Sequence, residues 1–237
     1  MTMCSLLYKT ELEVLKRIGD TVQRTRASYS DIAVIRNHEN LLDGSLYLYF
    51  ADQTYKIPYN TVSSKLIHKF ITLIRNKYIS FNFNAKKVPE YSGDISDTQH
   101  GEVSYYFKNL LPQLLQEDTG MHLGAVQGEV PMGERETRLL RKLLYKASDK
   151  RLLESIHLTN GKEIVIMNRG RLWGYRWQTQ YGKEIFYLPL EKIEGFECRN
   201  LESEDTVMSC TFTMTGSKHT FLFLVGNPDL SFYKNFP

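Results

Sequence analysis

The feature that most constrains this chain is the even punctuation of its last third. Between His157 and Val225, short apolar or β-branched runs lie at 163–167, 171–178, 184–188, 193–199, 207–214 and 218–225. The turn signals Asn160-Gly161, Arg169-Gly170, Tyr181-Gly182 and Gly216-Ser217 fall between or before them. No run is long enough for three turns of amphipathic helix, and each has the length of a strand. Strands so closely spaced pair with their sequence neighbours. The pattern therefore predicts an antiparallel meander closed as a barrel or sandwich.

The first two thirds read differently. Over 9–27, Leu12, Leu15, Ile18 and Val22 recur at helical spacing, and Lys16, Arg17, Arg24 and Arg26 lie off that stripe. This predicts an amphipathic helix. The runs 32–35, 46–50 and 55–57, with turns at Asp43-Gly44 and Asp52-Gln53, predict a small meander that Pro58 ends. Val62, Leu66, Phe70, Leu73 and Ile74 predict a helix over 61–78 with that apolar stripe, capped by Thr61 or Asn60. Phe81 and Phe83 alternate with polar residues as in a half-buried strand, and 92–101 is a polar loop. Residues 103–116 read as a helix strained by Pro112, and 134–147 as a basic helix with Leu139, Leu140, Leu143 and Leu144 inward. Between those two, the four glycines and Pro131 of 120–133 predict a linker. The expected fold class is α+β. It has a helix-rich domain with a small antiparallel meander at 1–133, and a basic helix plus β-meander domain at 134–237.

The stretch from His157 to Val225 also resembles the bacterial pleckstrin-homology-like domains. The resemblance rests on the hairpin NGKEIVIMNRGRLWGYRW and the segment GKEIFYLPLEKIEGFECRN, where Leu188-Pro189-Leu190-Glu191-Lys192-Ile193 has the shape of that family's Ile-Pro-Leu-x-x-Ile run. It implies a pleckstrin-like barrel closed by a helix, and binding of proteins, peptides or lipid headgroups. After the last strand only 227–237 remain for that helix, so 134–147 is a second candidate.

Charge is distributed unevenly although its net value is only +3. From Gln53 to Pro89 there is no Asp or Glu, while Lys56, Lys65, Lys69, Arg75, Lys77, Lys86 and Lys87 occur there. A second basic cluster spans 135–151 and includes Arg135, Arg138, Arg141 and Lys142. If these cations converge in space, they form a docking surface for an acidic protein, a nucleic acid or an anionic lipid surface. Trp173, Tyr175 and Trp177 alternate on one predicted strand and so share a face, which reads as core.

Nothing in the sequence marks catalytic chemistry. The six histidines show no metal-ligand spacing, no serine has a nucleophile-elbow context, and the glycines of 124–133 lack the lysine of a phosphate loop. No cofactor is implied. Cys4, Cys198 and Cys210 are too few and too scattered for a disulfide framework, which fits a reducing, cytoplasmic setting. No apolar run is long enough to span a bilayer as a helix, and the first residues do not read as a signal peptide. The function expected is that of a non-catalytic interaction or adaptor protein, binding a protein partner through the β domain and the basic N-terminal surface. The alternatives are nucleic-acid binding through 53–89 and 135–151, or an enzyme with a pocket built from 90–102 and 118–133.

Overall fold

Residues 9–27 form a hairpin and not a helix. In the structure, a computed structural model that describes residues 3–79, 103–117, 120–131, 150–170, 172–175, 182–201, 204–226 and 232–233, Met3–Leu7 (β1), Glu11–Ile18 (β2) and Thr21–Ser28 (β3) make a three-stranded antiparallel sheet. The turn is Gly19-Asp20, with Gly19 at φ 59°, the conformation a two-residue hairpin asks of glycine in its first position. Leu12 and Val14, two residues apart, are the buried apolar positions of β2. The operative period is therefore two, and β-branched Val14, Ile18, Thr21, Val22 and Thr25 suit it.

The main element is a seven-stranded antiparallel sheet. It contains Val34–Asn40 (β4), Asp43–Tyr49 (β5), Thr54–Asn60 (β6), His122–Gln127 (β7), Ser155–Thr159 (β10), Glu163–Asn168 (β11) and Lys183–Pro189 (β13), in the order β6-β5-β4-β13-β11-β10-β7. Val130–Pro131 (β8), Lys150–Leu152 (β9) and Trp173–Tyr175 (β12) form a small sheet in the order β12-β9-β8. Ile193–Leu201 (β14), Glu204–Met214 (β15) and Ser217–Leu224 (β16) form a sequential meander.

These strands stack in layers. One face of the seven-stranded sheet, through Leu46, Leu48, Ile35, Tyr187, Val165 and Leu158, packs with Ile71, Ile74 and Tyr78 of helix α1 (Ser64–Tyr78) and with Phe107 and Leu111 of helix α2 (Tyr105–Glu117). The other face, through Val34, Ile164, Ile166, Phe186 and Leu188, packs on Phe212, Phe221 and Phe223 of the β14-β15-β16 sheet and on Phe232 and Tyr233. At the rim of this second interface Gly216 is at φ 77°, and a Cβ there would stand 2.2 Å from the Ala51 carbonyl oxygen. Glycine is thus what lets the β15–β16 turn touch the β5–β6 turn.

The expected α+β class, with a helix-rich first part and a closed pleckstrin-like barrel or sandwich, is not what forms. The chain is mostly antiparallel strand, and its sheets do not close into a barrel. The predicted strands at 163–167, 184–188, 193–199, 207–214 and 218–225 coincide with β11, β13, β14, β15 and β16. What sequence order hides is their partners. β4, from the first part, pairs with β13, from the last, at Ile35↔Tyr187 and Asn37↔Ile185. That insertion joins the N-terminal meander to the C-terminal strands instead of letting the latter curl on themselves. Residues 120–133, read as a linker, supply edge strand β7 and strand β8. Pro58 does not end β6. It sits within it, on an edge strand where a missing N–H leaves no ladder bond unmade. The expected helix at 134–147, the strand at 81–83 and the loop at 92–101 lie outside the described residues.

Candidate functional site

Helix α1 is the element on which the basic readings converge, and it places its cations on different sides. Asn60 caps the 3-10 turn that opens it, Oδ1 accepting from the Val62 N–H at 2.9 Å. Its buried apolar residues are Ile71, Ile74 and Tyr78. On the flank next to them, His68 and Arg75 reach two carboxylates of the sheet. Arg75 Nε donates to Glu163 Oε1 at 3.1 Å, its NH2 group makes a further ion pair with the same carboxylate, and the Tyr78 hydroxyl donates to Glu163 Oε2. The guanidinium also lies over the Tyr187 ring, 4.7 Å from the centroid. Burial works against the Arg75 charge, but the Glu163 carboxylate outweighs it and holds the guanidinium pKa above its ordinary value. Burial, reinforced by Glu163, pushes the Tyr78 hydroxyl well up.

Two turns nearer the helix start, His68 Nε2 stands 3.7 Å from Glu39. Lys183 Nζ pairs with the same carboxylate at 2.9 Å, and the Tyr59 hydroxyl lies 2.8 Å from it and 2.7 Å from Asn37 Oδ1. Burial raises the Glu39 carboxyl, but the contacts from His68, Lys183 and Tyr59 together more than reverse it and hold the group far below the usual carboxylate range. Between these two polar knots lies a cleft of about 370 Å³, counted out to open solvent, lined by His68, Thr72 and Arg75 on one side and Leu114, Met121, Leu158, Val165 and Tyr187 on the other. The charged groups at its edge are paired, Arg75 with Glu163, and His68 and Lys183 with Glu39. Its chemistry is that of a structural ion-pair network between helix and sheet.

The outward side of α1 is unlike the usual solvated helix face. Val62 is 85% exposed, Leu66 67% and Leu73 49%. Next to them, the β4–β5 turn presents Leu41 and Leu42, 65% and 64% exposed. The two segments are fastened together: Thr61 donates its N–H to the Leu42 carbonyl at 3.0 Å and its hydroxyl to the Leu41 carbonyl at 2.6 Å. Leu41 is at φ 51°, the one described non-glycine residue with positive φ. Lys65 and Lys69 are exposed on the same side of the helix.

The structure therefore separates the sequence-predicted cations. Lys65 and Lys69 point outward together. Arg75 turns in to Glu163, and Lys77 donates to the backbone carbonyls of Tyr8 and Lys9 at 3.0 and 3.2 Å. Lys56 lies over the Tyr47 ring, on the sheet face opposite α1. Lys86, Lys87, Arg135, Arg138, Arg141 and Lys142 lie outside the described residues. Trp173, expected in the core, is 43% exposed with Lys150 Nζ 4.4 Å from its ring centroid. Cys198 and Cys210, expected to be free, stand opposite each other on β14 and β15 and form a disulfide. Among the described residues no helix is long and apolar enough to cross a membrane, and no group of His, Cys, Asp and Glu gathers as a metal site.

Sequence reasoning missed the Leu41-Leu42 tip because it placed the turn two residues later, at Asp43-Gly44. The available signal was the position of the two leucines midway between the runs 32–35 and 46–50. No protein-family model matches the chain, and no curated protein is significantly similar to it.

Proposed function

We propose that this protein is a non-catalytic binding module that docks a protein partner on the patch formed by Leu41, Leu42, Val62, Leu66 and Leu73, with Lys65 and Lys69 set among them. The observation that carries the reading is Leu41. A left-handed backbone costs an L-residue about 1–2 kcal/mol, and Gly, Asn or Asp would relieve it. A leucine that is 65% exposed at φ 51° recovers little of that cost by burial within the chain. An outcome so unfavourable to the free fold makes sense if the side chain is buried against something else.

The pattern along α1 selects the kind of partner. Leu66, Lys69 and Leu73 follow one another at intervals of three and four, a single stripe about 10 Å long at 1.5 Å per residue, and Val62 precedes it in the 3-10 turn that opens the helix. Lys69 sits inside the stripe. A lipid surface receiving the stripe would have to bury that ammonium, whereas a protein groove with a carboxylate at its rim would pair it. The partner is accordingly an apolar groove edged by Asp or Glu.

Affinity capture from the source cell with wild type, Leu41→Asn, Leu66→Glu and Lys65→Glu/Lys69→Glu tests this. One stoichiometric protein is expected on wild type and on none of the three variants. The captured protein should rebind in purified form, more weakly as salt rises. A captured set indifferent to all three variants, or flotation of wild type with anionic vesicles in its place, would overturn the proposal. The Leu41→Asn variant should also be more stable than wild type by about 1 kcal/mol.

A further inference from the structure

The β1-β2-β3 sheet carries a second charged surface. The β2–β3 register sets Glu13 opposite Arg26, Leu15 opposite Arg24 and Arg17 opposite Val22. By strand alternation Arg17, Arg24 and Arg26 share one face. The other face is the one on which Leu12, Val14 and Ala27 meet the core; on the arginine face Glu13 is buried at the base and the three arginines are exposed. Residues 17–24 are exposed throughout, and the end of the ribbon projects from the body of the fold. Between Val14 and Ser30, Asp20 is the single acid, against Lys16, Arg17, Arg24 and Arg26.

The three arginines are not equally engaged. Arg26 pairs with Glu13 at 3.2 Å, and Glu13 also accepts from the Tyr8 hydroxyl at 2.9 Å. Arg17 donates Nε to the Gly19 carbonyl at 3.0 Å and stands 3.9 Å from Asp20, with both side chains largely in water. Arg24 makes no ion pair among the described residues. The base of the ribbon is thus neutralised while its projecting part is left cationic.

We infer that this ribbon grips the sugar–phosphate backbone of nucleic acid without reading sequence. Guanidinium groups match phosphate oxygens two at a time. Arg17 and Arg24 are diagonal neighbours across the two strands and stand about 7–8 Å apart, so they reach separate phosphates and not one. The exposed large apolar residues at the tip, Ile18 and Val22, are aliphatic and, like the exposed Thr21 and Gln23 beside them, supply no aromatic platform for stacking bases. The site is separate from the leucine patch on α1, and the inference does not rest on that patch.

Fluorescence anisotropy with a labelled mixed-sequence DNA duplex of about 24 base pairs tests it. With the two phosphates of Arg17 and Arg24 neutralised, log K should fall with log salt at a slope of about −1.8, an affinity loss of about 12-fold from about 50 to 200 mM salt. Arg17→Ala/Arg24→Ala, both exposed positions that leave the core untouched, should bring the slope close to zero and abolish the salt-dependent binding. A scrambled duplex should bind equally, and Leu41→Asn should bind as wild type. Absence of binding at low salt, a wild-type slope in the double variant, or tighter binding to polyglutamate than to the duplex would overturn the inference.

Discussion

Acid should weaken this fold through one buried histidine, by an amount the structure allows to be worked out. His157, on β10, is 0% exposed and faces the second sheet. Its Nε2 lies 3.1 Å from the Ser155 hydroxyl, its Nδ1 bonds the Tyr233 hydroxyl, and Phe221, Phe223 and Tyr233 surround the ring. Burial pushes its pKa down from 6.5 to about 3. The unfolded chain therefore takes up a proton that the folded chain refuses. The stability owed to a neutral His157 is complete above pH 6.5 and is lost as pH falls from there toward 3. At pH 5 the loss is about 1.36 × 1.5, or roughly 2 kcal/mol, and it approaches about 5 kcal/mol near pH 3.

Other groups titrate nearby. His219 is pushed down to about 4 by burial, with Arg36 adding to it, and acts in the same direction. Burial raises the Glu154 carboxyl, which acts in the opposite one. A difference measurement removes both. Urea unfolding of wild type and of His157→Gln at pH 7 and pH 5 gives four free energies. His157→Gln keeps a polar side chain at the site but does not titrate. Wild type should lose about 2 kcal/mol more than the variant between the two pH values. Equal losses would mean that the imidazole is protonated in the folded chain or reached by water, and the buried Ser155–His157–Tyr233 chain would be refuted.

Three further perturbations have definite expected outcomes. Arg75→Met and Glu163→Gln should each cost about 3–5 kcal/mol by leaving a buried partner unpaired, while the double variant recovers much of the loss; additive losses in denaturant melts would show that the two do not act as a pair. Gly216→Ala should cost about 2–4 kcal/mol, from a left-handed backbone and a Cβ driven into the Ala51 carbonyl; an unchanged melting temperature would place the two turns apart. Cys198→Ser/Cys210→Ser should lose up to about 3 kcal/mol, the loop-closure value for a crosslink spanning about a dozen residues. Dithiothreitol should impose the same loss on wild type and none on the variant, and a reductant-indifferent wild type would refute the crosslink.

What could be read from the sequence was local. Strands β11 and β13 to β16 follow from apolar or β-branched runs set between turn signals, and residue type narrows the cap to Thr61 or Asn60, of which Asn60 is the one that forms. Residues 9–27 defeated periodicity because Leu12, Leu15, Ile18 and Val22 satisfy a helical template while Leu12 and Val14 satisfy a strand one. The arbiter was Gly19, a hairpin residue set in the middle of the supposed helix. The disulfide was legible in principle. Strands at 193–199 and 207–214, folded as a hairpin, bring position 198 within two residues of facing 210, and the irregularity between Ile193 and Gly195 completes the register. The insertion of β4 beside β13 is encoded in no local pattern, since it joins residues about 150 apart in the chain.

The orientation of α1 shows why the candidate site in particular escaped. Val62, Leu66, Ile67, Phe70, Ile71, Leu73 and Ile74 cover most of the helix circumference, so hydrophobicity alone permits more than one face to turn inward. The stripe chosen from the sequence, through Val62, Leu66, Phe70, Leu73 and Ile74, straddles the two sides: Val62, Leu66 and Leu73 are exposed, Phe70 is half-buried and Ile74 is buried. The choice is made by Arg75 and His68, which must reach Glu163 and Glu39 on strands distant in sequence. Turning those cations to the sheet rolls Leu66 and Leu73 into solvent. The ion pairs beneath the helix and the apolar stripe above it are in this way two consequences of one rotation. It follows that replacing the buried pair with Arg75→Met/Glu163→Gln should loosen the hold on that rotation and weaken docking as well as stability. Partner affinity should fall in this double variant although every residue of the patch is intact. An unchanged affinity would mean that the strand contacts of Ile71, Ile74 and Tyr78 set the helix orientation without help from the charges.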